Sequence, residues 1–203
     1  MKIRTKVGSK FIYDGGDDEL KQGWFGEIGV SEVMPPLSEF GIRGQIFNAA
    51  ISGVTSSVGL NTTYTGLILC NPQGSNRLLI PLYIGFGQSV INAAVNAFGI
   101  LAGFNAATAV THTTPVTPTA AYLGGSAGVG LVDSAATLPT APTWRTFFAS
   151  TPTATTNPSG AEIECKGRWT VPPGGYWGFG AVAASPASAL HIGMTWAEVI
   201  LLP

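Results

Sequence analysis

The chain has 203 residues and a net charge of −1, enough length for one large all-β domain or for one domain with an extension. Only 10% of its residues are charged, against about 25% in an ordinary soluble domain, so surface that is normally charged must here be small, hydroxylated or covered by a partner. The near-neutral balance excludes the broad attraction to phosphate on which nucleic-acid binders depend. Two isolated cysteines, Cys70 and Cys165, belong to no CxxC or Cys/His cluster and read as buried thiols.

Charge is concentrated at the start. Residues 1–43 hold six of the ten basic and seven of the eleven acidic residues, a step in composition that places an N-terminal arm or small subdomain at residues 1–44 and a body at residues 45–203. In the arm, KIRTKVGSKFIYDGG alternates as a strand does and stops at Gly15-Gly16. DDELKQGWF suits a short helix opened by Asp17, Asp18 and Glu19 and ended by Gly23. EIGVSEVMPPLSEFG is irregular chain broken by Pro35-Pro36. The basic N-terminus lacks the continuous apolar stretch of a secretory signal, so cytoplasmic synthesis is expected.

In the body, GQIFNAAISG, TYTGLILCN, NRLLIPLYIGFGQ, TWRTFFAS, AEIECKGRWTV, YWGFGAVAA and ALHIGMTWAEVILL are short apolar or alternating runs parted by turn-forming Gly, Pro, Asn and Ser. Strands at this spacing predict an all-β, jelly-roll-like β-sandwich. The last run alternates most clearly, with Leu190, Ile192, Met194, Trp196 and Glu198 on one face and His191, Gly193, Thr195, Ala197 and Val199 on the other. LYIGFG (82–87) and YWGFGAV (176–182) share a pattern of rings between glycines, as equivalent central strands of two packed sheets would. Residues 88–107 are alanine-rich, and Val90, Ala94, Ala97 and Leu101 fall on one helical stripe, which predicts a short helix or a long loop. The Thr/Ala/Pro/Gly tract that follows, to about residue 143, predicts an exposed loop or an edge segment ordered by a neighbour. Leu78–Val110 carries no charge, but Pro81, Gln88, Asn92, Asn96 and Asn105 interrupt it, whereas a membrane helix needs roughly 20 mostly apolar residues in a row.

Few motifs carry chemistry. GGSAG (124–128), followed by Asp133 and His191, matches the order of a hydrolase Ser, Asp and His, but the elbow needs a strand before and a helix after, and the flanks here are loop-like. Asp14, Asp17, Asp18 and Glu19 form an acidic turn without the D-x-D-x-D-G pattern of a calcium loop. His112 and His191 have no second ligand at metal spacing and read as structural. No phosphate-cradling or dinucleotide motif occurs, so no cofactor is expected. Trp169, Trp177 and Trp196 suit a core or a subunit interface better than a ligand platform.

NPQGSNRLLIPLYIGFGQ (71–88), VPPGGYWGFGAVAASPASA (171–189) and MTWAEVILLP (194–203) together resemble the β-sandwich or jelly-roll structural proteins of tailed-bacteriophage virions, among them trimeric capsid decoration (cement) proteins and fibre or tip proteins. The resemblance covers about half the body and implies two turns, one from Asn71, Pro72, Gly74 and Ser75 and one from Pro172, Pro173, Gly174, Gly175 and Tyr176. It implies no binding residues.

The expectation is therefore a non-enzymatic virion structural protein, made in the host cytoplasm. Its uncharged faces would be buried in a homo-oligomer, a trimer, that binds the major capsid protein or another virion protein. Decoration of the head comes first and a tail or fibre component second. Interface residues are expected at Trp24, Phe25, Arg43, Tyr176 and Trp177, with Trp24 and Phe25 anchoring the arm. Nucleic acid and membrane are not expected partners. The rival classes are a membrane-active protein using residues 78–110 and a hydrolase using Ser126.

Overall fold

A computed structural model describes residues 37–55, 59–90, 96–151, 160–183 and 189–201. The expected arm strand and the helix over residues 17–25 lie outside them. A short helix, α1 (Ser38–Ile42), precedes eleven strands: β1 (Ile46–Thr55), β2 (Thr63–Cys70), β3 (Arg77–Val90), β4 (Asn96–Phe104), β5 (Thr111–Val116), β6 (Thr119–Ala120), β7 (Leu131–Thr137), β8 (Thr143–Thr151), β9 (Gly160–Glu164), β10 (Gly175–Ala183) and β11 (Ala189–Ile200). They form two sheets, in the orders β6-β1-β11-β3-β9 and β5-β7-β2-β10-β4-β8, packed face to face.

The pairing is antiparallel throughout. β1 pairs with β11, β2 with β10, β3 with β9 and β4 with β8, so the chain lies as one long ribbon whose strands match from the outside inward. β11–β3 and β10–β4 contacts roll that ribbon into two layers, which is the winding of a jelly roll. β5, β6 and β7 are an insertion between the last inner pair. β5 and β7 extend the second sheet beyond β2, and β6 extends the first beyond β1.

Period-two alternation sends the large side chains between the sheets. Phe86 of β3 meets Phe179 of β10 with ring centroids 4.7 Å apart and Phe98 of β4 at 5.2 Å. Leu67, Leu69, Ile84, Ile100, Trp177 and Trp196 complete the layer, all at 1% exposure or less, each worth roughly 1.5–3 kcal/mol of transfer free energy. The shared pattern of LYIGFG and YWGFGAV is thus explained: they are interior strands of facing sheets, joined through their phenylalanines. β11 follows its predicted faces, with Leu190, Ile192, Met194, Trp196 and Glu198 buried. Ala197, on the opposite face, is also buried, because Leu37, just before α1, and Phe40, within it, pack with Ile46, Leu82 and Ala197. Residues 37–44 therefore belong to the sandwich, and the compact unit runs Leu37–Pro203.

Two expectations are corrected. Residues 88–107 are not helical where described: β3 continues to Val90 and β4 starts at Asn96. β4 alternates, Phe98 and Ile100 facing the inter-sheet core and Leu101 the outer face, and strand burial on both faces outweighs alanine's helix propensity. The threonine-rich tract is only partly exposed. β5 fits the expected edge segment, but β7 lies between β5 and β2, with Val132, Asp133, Ser134 and Ala136 buried. The apolar stretch 78–110 supplies β3 and β4, and no helix among the described residues is long and apolar enough to cross a membrane.

Asn71 ties the ends of the sheets together. It is 3% exposed, and its Nδ2 donates to the carbonyls of Arg77 and Val171, both at 2.8 Å, while its Oδ1 accepts from the Ser75 hydroxyl at 2.6 Å. Its own N–H donates to the Gly175 carbonyl, and its carbonyl accepts from Gly174 N–H, both at 2.9 Å. The two turns expected from NPQGS and PPGGY are therefore one interlocked unit, with Gly74 and Gly174 at φ 72° and 83°, a conformation that favours glycine. Asn71→Ala removes the three side-chain hydrogen bonds that join the two turns, and the expected loss is about 2–4 kcal/mol in urea unfolding. Asn71→Asp, nearly isosteric but with an oxygen facing those carbonyls, should cost at least as much. An unchanged midpoint for both variants would remove Asn71 from this role.

Candidate functional site

The outer face of the first sheet is built from residues that leave little above the backbone. Register places Ala50, Gly193, Gly85 and Glu162 in one row across β1, β11, β3 and β9. The row on one side is Asn48, Thr195, Tyr83 and Glu164. On the other side His191 stands beside Gly87. The result is an open trough of about 550 Å³ over Ala50, Gly85 and Gly193, continuing into a hollow of about 330 Å³ bounded by Asn48, Tyr83 and Glu162. Thr195 donates to Asn48 Oδ1 at 2.8 Å, which fixes that amide on the wall. A Cβ on Gly85 or Gly193 would come no nearer than 3.9 or 3.8 Å to any neighbour, and one on Gly87 would meet nothing within 4 Å. The chain's own packing therefore does not demand these glycines.

The second sheet carries a different polar feature on its outer side. Asp133 of β7 pairs with Ile68 of β2 and shares its outer face, where Tyr64, Ile68, Cys70, Leu101 and Tyr176 form a second small core. The carboxylate is fully buried, and its Oδ2 is bonded to His112 Nδ1 on β5. Its Oδ1 has no hydrogen-bond partner among the described residues. Reading the sequence missed this pair, since 21 residues and two turns separate its members. The one available signal was an aspartate within the strand-forming run LVDSAAT, because a buried acid needs a cation or donors beside it.

Glu198 is the other buried carboxylate. It accepts from Val129 N–H at 2.9 Å, from Gly130 N–H at 2.8 Å and from Trp196 Nε1 at 3.2 Å, pinning the loop that carries GGSAG to β11. That loop runs between β6 and β7, so the strand–turn–helix of a nucleophile elbow is absent. Ser126 is exposed, Asp133 is engaged by His112, and His191 lies on the outer face of the opposite sheet. The expected hydrolase residues are not gathered into one site.

The expected interface residues divide three ways. Trp24 and Phe25 lie outside the described residues, as does the acidic turn Asp14–Glu19. Arg43 is exposed and paired with Glu39 one helical turn back. Tyr176 and Trp177 are each 1% exposed, so both are corrected from surface to interior. Trp177 faces the inter-sheet core beside Trp169. Tyr176 is covered on the outer face, where its hydroxyl donates to the Thr140 carbonyl at 2.6 Å. Among the described residues no three His, Cys, Asp or Glu side chains gather as a metal site would require. Comparison with family models, curated proteins and solved structures finds no match to this chain.

Both cysteines are free and buried, as expected. Burial, with the Asp133 carboxylate adding, holds the Cys70 thiol far above its ordinary value, and burial pushes Cys165 up to about 11 against an opposing pull from Arg168. A thiol kept neutral in the folded chain contributes stability that is present below its unfolded value of 9.0 and is lost as pH rises toward about 11. The urea midpoint should fall across that window, with a shallower fall in Cys165→Ala. Neither thiol should react with an aromatic disulfide reagent at neutral pH until the chain unfolds.

His112→Ala leaves the buried Asp133 carboxyl without its hydrogen-bond partner and should cost about 2–4 kcal/mol. The double variant His112→Ala/Asp133→Ala should lose less than the single one, because no buried carboxyl is then left unpaired. Denaturant unfolding of the three proteins checks this, and a double variant weaker than the single would refute it.

Proposed function

We propose that the chain is a non-enzymatic structural protein of a tailed-bacteriophage virion that decorates the head as a homo-oligomer and binds the major capsid protein. The observation that carries the reading is the combination of jelly-roll winding with an outer sheet face that is open and small-residued over β1, β11 and β3, its charges confined to the edge strand β9 and the turn after it. Jelly rolls are a common plan for capsid proteins, although a fold alone does not assign a function. The surface supplies the rest of the argument. A broad open face whose central strands carry no charge is poorly suited to remain exposed to water and well suited to be covered in an assembly. Within the body, Asp133 and Glu198 are turned inward, which leaves still fewer charges outside.

The lack of a gathered catalytic set around Ser126 favours this reading over hydrolysis. Immunogold labelling of virions produced by the genome that encodes the chain tests the proposal. Regular labelling over the head is the expected result. Labelling confined to the tail would move the protein to a tail or fibre role, and its absence from purified virions would overturn a virion role altogether.

A further inference from the structure

The two outer faces of the sandwich differ in relief, and each carries an exposed charge without an ion-pair partner among the described residues. The first sheet presents the trough floored by Ala50, Gly85 and Gly193, whose glycines neither a positive φ nor a close neighbour in the chain requires. Glycine inside a strand costs stability and marks places where another group approaches the backbone closely. The second sheet presents a ridge. On its edge strand β8, Trp144 and Phe147 stand with ring centroids 4.8 Å apart, and Phe147 is 62% exposed. Glycines here are required: a Cβ on Gly99 or Gly180 would lie 3.0 or 2.9 Å from the Trp144 ring. Trp144 is thus bedded on its own sheet, and Phe147 projects beyond it.

Charge matches as well. Glu162, in the trough, and Arg145, between the two ridge aromatics in sequence, are both exposed, and neither makes an ion pair with a described residue. The other exposed acids among the described residues, Glu39 and Glu164, are taken by Arg43 and Lys166.

We propose that the trough of one copy receives the Trp144–Phe147 ridge of a second copy, with Arg145 of the one meeting Glu162 of the other. The contact joins two different patches and so is head-to-tail, the kind that closes into a ring when the rotation per subunit divides a full turn. Pairing trough with trough would set Glu162 near its own copy and leave Phe147 in water. Buried aromatic anchors surrounded by small residues, with a charge pair at the rim, are the usual make-up of a tight contact. The inference deepens the oligomeric part of the proposed function and rests on it for the purpose of the ring.

The test uses the full chain and sedimentation equilibrium. Arg145→Glu and Glu162→Arg should each weaken self-association by about tenfold or more, and the double reversal should restore it. Gly85→Leu, whose Cβ meets nothing nearer than the Ala161 carbonyl at 3.9 Å and whose side chain fills the floor, and Phe147→Ser, which removes the projecting ring, should dissociate the oligomer while thermal midpoints at low concentration stay near that of the parent. A parent chain that is monomeric at all concentrations, single reversals that leave its mass unchanged, or a double reversal that fails to restore association would each overturn the contact. A monomer that still labels phage heads would sink this interface and leave head decoration standing. An oligomer broken by these substitutions but missing from virions would do the reverse.

Discussion

Phe86 and Phe179 meet between the sheets, and because strand side chains alternate with period two, that single contact dictates what both outer faces can be. With Phe86 turned inward, Gly85 and Gly87 must face out on β3. With Phe179 turned inward, Gly178 and Gly180 must face out on β10. A slip of one residue in either strand would put glycines in the core and rings in solvent, so register is strongly held. The same alternation then has opposite results on the two sides: on the second sheet Gly180 lies beneath Trp144 and Gly178 against the backbone of Leu67 and Ile68, and on the first the outward glycines are left open as a trough.

Polar ties finish what the rings begin. Asn71 joins two turns by bonding carbonyls and N–H groups of both through its side chain and backbone, and Glu198 accepts from two backbone N–H groups of the loop before β7. The buried Asp133 carboxyl, bonded to the more exposed His112, ties β7 to β5. These groups are expensive to bury alone and stabilising only as satisfied sets. Two of the four acids beyond residue 44 are used this way, which is one reason that so little charge is left on the outside.

Much of the fold was legible because two local rules act without reference to distant residues. Alternation gave β11 its faces from Leu190 to Glu198, and proline with glycine marked the turns at Pro72–Gly74 and Pro172–Gly174. Where local preference and tertiary burial disagree, reading failed. The alanine stripe from Val90 to Leu101 has a helical period, but Phe98, Ile100 and Leu101 each find apolar cover only in a strand between β8 and β10. Tyr176 looked like a surface ring because nothing nearby in sequence covers it, yet Thr140 lies over it from 36 residues away.

The amino-acid order by itself determined that this is a β protein of low charge with rings set between glycines, since strand period and turn chemistry are local properties of the chain. Only the tertiary structure decided which glycines lie beneath a tryptophan and which are bare, and which histidine meets Asp133. It also decided which tryptophans are out of reach of any neighbour. Those outcomes depend on strands brought together from opposite ends of a rolled ribbon, and no short stretch of sequence contains both partners.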